Sequence, residues 1–151
     1  MCIRDRRYAL YHQIEEEKGH EEWVLNDVAA MGGDRDAVRG GLAAPQIQAM
    51  IGYNYYSSEH LNPTSVLGMI HVLEEIAANF ASPAAKKIAE AIGVPGPEGF
   101  TFLQSHGEMD KHHVDDFKEL VEAITDPDDQ RAIVNAARVN YAMFGALFQH
   151  A

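Results

Sequence analysis

At 151 residues, 46% of them hydrophobic, the chain can bury one sizeable core and is too short for two domains. Its 23 acidic against 12 basic residues give a formal charge of -11, which argues against nucleic-acid binding, a function that needs basic patches to neutralise phosphates. Cys2 is the single cysteine, so an internal disulfide and any cysteine-rich zinc or iron–sulfur site are excluded.

The first seven residues carry charges with no apolar run behind them, so they do not form a signal peptide, and no segment approaches the roughly 20 apolar residues that span a bilayer. A soluble cytoplasmic protein without a membrane partner is expected. Residues 8–31 are predicted as one long helix stopped by Gly32-Gly33, which suit the left-handed backbone at a helix end. Residues 34–43 read as a connection. A second helix is predicted over about 44–60, with Ile47, Met50, Ile51 and Tyr55 as apolar positions. Asn62-Pro63 then has the signature of an N-cap followed by a first helical residue, opening a helix through about Phe80.

Ser82-Pro83 repeats that start signal for a short helix ending at Gly93. Residues 93–99 are a loop, since five of the seven are Gly or Pro. Further helices are predicted over 100–124 and, after an Asp126-Pro127 start, to about 149. With no strand pair and no repeat, the pattern predicts an all-α bundle, a single domain over 1–151. The first helix lacks a cap, and Arg4, Arg6 and Arg7 cluster at its start, which points to an N-terminal truncation or a few non-native residues.

Three constellations carry chemistry. In Ser105-His106-Gly107-Glu108-Met109-Asp110-Lys111-His112-His113, Asp110 lies about 40° from His106 around a helix, and His113 about 20° to the other side. These three form a stripe over two turns, while His112 points away and is expected to be exposed. Two imidazoles and a carboxylate suit iron or manganese and accept zinc; the competing reading is a solvated polar face. In the first helix, Glu17 and His20 are three apart and form the Glu-x-x-His pair of di-metal carboxylate bundles. Glu16, four before His20, could take the place of Glu17, and Gln13 lies on the same stripe. Gly19 is costly inside a helix, by about 1 kcal/mol relative to Ala, which suggests close packing there. In the third helix Glu74 follows Leu67, Ile70 and His71 on an apolar stripe, where a carboxylate needs a partner. His71 reads as a satisfied core histidine or an outer hydrogen-bond partner. Tyr53, Tyr55, Tyr56 and Tyr141 are pocket or redox candidates, although aromatic residues at helical spacing are more often core.

This order of motifs, over about residues 8–145, resembles the haem-oxygenase-like di-iron oxidases. These are also called iron-containing redox enzymes and share their fold with thiaminase-type and pyrroloquinoline-quinone-synthesis proteins. The resemblance implies a haem-oxygenase-like helical bundle holding two iron ions, or manganese in their place. Glu17, His20 and His106 would hold one; Glu74, Asp110 and His113 would hold the other. Some members have a carboxylate seven residues before the first His, where this chain has Gln13. The implied partners are O2 and a small organic substrate, with oxidative C–C cleavage, decarboxylation or N-oxygenation as the outcome. Uncovered helical surfaces are compatible with a homodimer. The alternatives are a ferritin-type metal carrier, a metal-free hydrolase of the same fold, and a haem-binding member, which would need only one axial histidine.

Overall fold

Local capping chemistry sets several of the helix boundaries. The computed structural model describes residues 3–94 and 98–149; Pro95, Gly96 and Pro97 of the predicted loop, and the side chain of His112, lie outside the described residues. Among the described residues eight α-helices follow one another: α1 Ile3–Glu17, α2 His20–Ala30, α3 Arg35–Gly40, α4 Pro45–Tyr56, α5 Ser65–Ile76, α6 Ser82–Ile92, α7 Thr101–Glu122 and α8 Pro127–Leu147. No strand occurs among the described residues, so the fold is all-α. No helix among them is long and apolar enough to cross a membrane.

Several boundaries differ from expectation for identifiable reasons. The predicted long first helix is broken at Lys18-Gly19, because Gly19 takes a left-handed backbone with φ +91°. A Cβ there would meet nothing within 4 Å, so Gly19 supplies a turn and not close packing. The expected 34–43 connection holds a short helix, started by Asp34, whose side chain accepts from the amides of Asp36 and Ala37. Ser82-Pro83 does not start a new helix. The backbone is already helical at Ala81, and a π-helical turn, Ala77–Ala81, joins α5 to α6 without a break. A second π-helical turn, Ser57–Leu61, extends α4. Asn62 accepts from the Thr64 amide just ahead of α5, Gly93 ends α6 with φ +72°, and Asp126 caps α8.

The chain forms two compact units. The first comprises Met1–Gly41 and Glu75–Asp115; the second comprises Leu42–Glu74 and Asp116–Ala151. In the second, Gly68 lets α5 cross α8 closely, since a Cβ would sit 2.4 Å from the Ile133 carbonyl oxygen. Asn54 of α4 and Asn140 of α8, both buried, exchange a reciprocal pair of amide hydrogen bonds at 2.8 and 2.9 Å. Each also donates to a carbonyl one turn back in its own helix, so neither amide nitrogen is wasted on an apolar neighbour. That pair, and not the apolar row, sets which side of α4 faces inward. Ile47, Ile51 and Tyr55 are consequently exposed. Tyr56 and Tyr141 are exposed as well, so the expectation that the tyrosines fill the core fails for all but the half-buried Tyr53.

Candidate metal centre

In the first unit, α1 inverts the usual amphipathic rule. It exposes Tyr8, Tyr11 and Ile14 and turns Gln13, Glu16 and Glu17 inward. A helix that turns carboxylates inward and exposes aromatics needs a polar destination for its inner face. That destination is the imidazole cluster on α2 and α7. On α7 the stripe of His106, Asp110 and His113 is buried at 7, 2 and 8% exposure, and continues as an apolar stripe through Leu120. His20, at the first position of α2, is buried at 8%.

The break at Gly19 lets Glu17 and His20 converge on one point from two helices. Glu17 Oε2 lies 3.0 Å from His20 Nδ1; His20 Nδ1 lies 3.1 Å from His106 Nε2; and His106 Nε2 lies 3.5 Å from Glu17 Oε2. Ligand atoms about 2.1 Å from one ion and about 90–110° apart stand roughly 3.0–3.4 Å from each other. The triangle therefore has the dimensions of one face of a coordination shell, and these residues fit a divalent metal. The tautomer of His106 supports this. Its Nδ1 lies 2.9 Å from the Phe102 carbonyl, which can only accept, so Nδ1 carries the proton and Nε2 offers its lone pair to the cluster.

Without a metal, protons take its place. Hydrogen bonding from His106 holds the Glu17 carboxyl below the usual 4.5, against an opposing effect of burial. The same bond raises His106 above 6.5, again against burial, with help from the Phe102 carbonyl and the Asp110 charge. Aromatic rings enclose the pair: Trp23 stacks on His20 at 4.0 Å and meets His106 edge-on at 5.9 Å, while Phe102 covers His106 at 4.1 Å.

The remaining candidates are placed as follows. Asp110 Oδ1 lies 3.5 Å from His113 Nδ1, and His113 Nε2 lies 3.6 Å from Glu16 Oε2. Glu16 also bonds the exposed His12 at 2.9 Å. Glu17 thus lies beside His20 and His106 and is also within reach of His113, while Glu16 lies beside His113. Gln13 is no substitute carboxylate; its amide donates to Glu17 Oε1 at 3.4 Å. Glu74 belongs to the second unit and is buried at 5% exposure on α5, whereas Glu75 is half-buried and bonded by Asn79. His71 stacks on Phe117 at 5.4 Å with Tyr141 edge-on, which makes it an aromatic packing residue of that unit.

An all-helical chain that gathers imidazoles and carboxylates in one cluster has the donor set a metal ion needs. A family model described as iron-containing redox enzyme matches residues 1–145, and the chain belongs to that family, with its haem-oxygenase-like fold. No curated protein and no solved structure matches the chain.

Proposed function

We propose that the protein is a non-haem di-iron oxidase or oxygenase that uses O2 to oxidise a small organic substrate. The family supports iron and redox chemistry in general. The observation that favours a bound metal is the Glu17/His20/His106 triangle, three donors of mixed oxygen and nitrogen type within 4.8 Å of one another. The proposed ligands of the first iron are these three residues. Asp110 and His113 are proposed for the second, with Glu16 positioned beside His113. Iron bound by such a set would supply the electrons and the open coordination positions for O2.

The protein's own groups have separable tasks. The Phe102 carbonyl holds the Nδ1 proton of His106, so that Nε2 is the nitrogen left to bind an ion once its own proton leaves. Gln13 orients Glu17 by donating to Oε1, while Oε2 is the oxygen beside His20 and His106. Trp23 and Phe102 keep water from the imidazole pair. The test is an anaerobic ferrous titration of the full chain followed by exposure to O2. About two ions per chain are expected, with His106→Ala and His113→Ala each sharply lowering occupancy, and O2 consumption stimulated by organic substrate. A well-folded protein that takes up no iron would refute the proposal, and oxidation of iron to a mineral core would favour storage instead.

A further inference from the structure

The N-terminus of α7 presents an accounting problem that its own sequence does not solve. The first amides of a helix have no partner within it, and a side-chain oxygen just before the first turn ordinarily accepts from them. Here the residue before Thr101 is Phe100, which has no such oxygen. The acceptor comes from 74 residues away: Asp27 Oδ1 accepts from the Thr101 amide at 2.9 Å, and Asp27 Oδ2 from the Phe102 amide at 2.8 Å. Asp27 itself sits in the last turn of α2, where a negative charge opposes the helix dipole. An acid placed against its own helix and at the start of another belongs to the second.

The neighbouring turn fits the same docking. Gly99, with φ +85°, passes so close to the end of α2 that a Cβ would lie 2.6 Å from the Met31 thioether. Along α2, Asp27, Trp23 and His20 are spaced by four and three residues and share one face. Trp23 and His20 contact His106 of α7, while Asp27 holds the α7 start. The two helices are therefore tied at two levels, by the carboxylate clamp and by the imidazole pair, about 10 Å apart along α2. A slip of one residue moves a helix about 1.5 Å along its axis, several times the roughly 0.5 Å tolerance of a working site.

We infer that Asp27 is a positioning residue for the metal centre: its carboxylate sets the register of α7 against α2, and so the approach of His106 to His20. The inference rests on the proposed metal role of those histidines. It assigns to Asp27 no contact with metal or substrate.

The test compares wild type, Asp27→Ala and Asp27→Asn, the last of which keeps one neutral acceptor. Each full-length protein is titrated anaerobically with Fe2+ and separately with Co2+, whose visible bands report coordination geometry. Cross-relaxation between the Trp23 and His106 rings is measured by NMR in the metal-free state. Asp27→Ala should weaken binding of one of the two ions about tenfold or more, as loss of an outer-sphere partner typically does. It should also alter the Co2+ spectrum and diminish the Trp23–His106 signal, with helicity by circular dichroism retained. Asp27→Asn, with one acceptor oxygen where the carboxylate has two, should lose a smaller part of each. Wild-type affinity, spectrum and ring contact in Asp27→Ala would overturn the inference, even if its melting temperature fell. Should Asp27→Ala not fold, Asp27→Asn decides: weakened affinity supports the clamp, and wild-type behaviour overturns it. A wild type that binds neither ion refutes the centre, and with it the purpose given to Asp27. The metal-free ring contact shows separately whether the clamp sets the register.

Discussion

Gly107 follows the His106 ligand candidate directly, and its missing side chain is where α7 meets the start of α6. A Cβ at this position would lie 2.1 Å from Ser82 Oγ, 2.8 Å from the Ser82 backbone nitrogen and 3.0 Å from Ser82 Cβ. The hydroxyl can rotate away, but the backbone nitrogen cannot. Ordinary carbon contacts sit at about 3.5 Å or more, so Gly107→Ala requires roughly 0.7 Å of separation between α7 and the Ser82 backbone. Overpacking of this kind costs about 1–3 kcal/mol, partly offset by the roughly 1 kcal/mol by which Ala exceeds Gly in helix propensity. The displacement matches or exceeds the roughly 0.5 Å within which a preorganised site must be held. A small loss in global stability is therefore expected together with a disproportionate loss of ferrous affinity. Gly52→Ala is the control, since a Cβ there meets nothing within 4 Å. In that helix interior it should stabilise by about 0.5–1 kcal/mol. Urea denaturation and ferrous titration of both variants measure the two effects. Gly107→Ala with wild-type iron affinity would refute the idea that this close approach holds His106 in place.

The Glu17–His106 bond gives the metal-free protein a pH signature. Glu17 is lowered from 4.5 and His106 raised from 6.5, so the stabilisation of the pair is fully present between those two values. It is lost as pH rises through the raised His106 pKa, and as pH falls through the lowered Glu17 pKa. Iron binding should show the opposite trend on the alkaline side, strengthening as His106 gives up its proton, by about tenfold per pH unit for each proton displaced. Thermal melts with and without Fe2+ across that range check both, and parallel slopes would contradict the assignment. In the second unit, Asn140→Ala leaves the Asn54 amide without its buried partner and should cost about 1–3 kcal/mol. The Asn54→Ala/Asn140→Ala double variant should cost less than the sum of the singles by at least about 0.5 kcal/mol in urea denaturation; strict additivity would show that the two amides are not coupled.

The sequence was most informative where a short-range rule governs the outcome. Gly93 and Asp126 bound helices because a left-handed stop and an Asp-Pro start act within a few residues. His106, Asp110 and His113 fall on one buried stripe because helical periodicity alone puts them there. Glu74 could be told from Glu75 by the same reasoning, and it is the more buried of the two. Ser82-Pro83 misled because proline is tolerated in the first turn of an α-helix, and here that turn directly continues a π-helical one.

The sequence by itself determined the all-α class, the main helical segments and the α7 stripe, since each follows from backbone propensity and from spacing along one chain. Tertiary structure decided what depends on partners distant in sequence. It turned the glutamates of α1 inward and its tyrosines outward, because the polar destination is made by α2 and α7. It made Gly19 a hinge between Glu17 and His20, so that two helices and not one converge on His106. It set Asp27 against amides 74 residues away, where no local pattern could have signalled it. Spacing fixes which residues share a face; only packing fixes what that face meets.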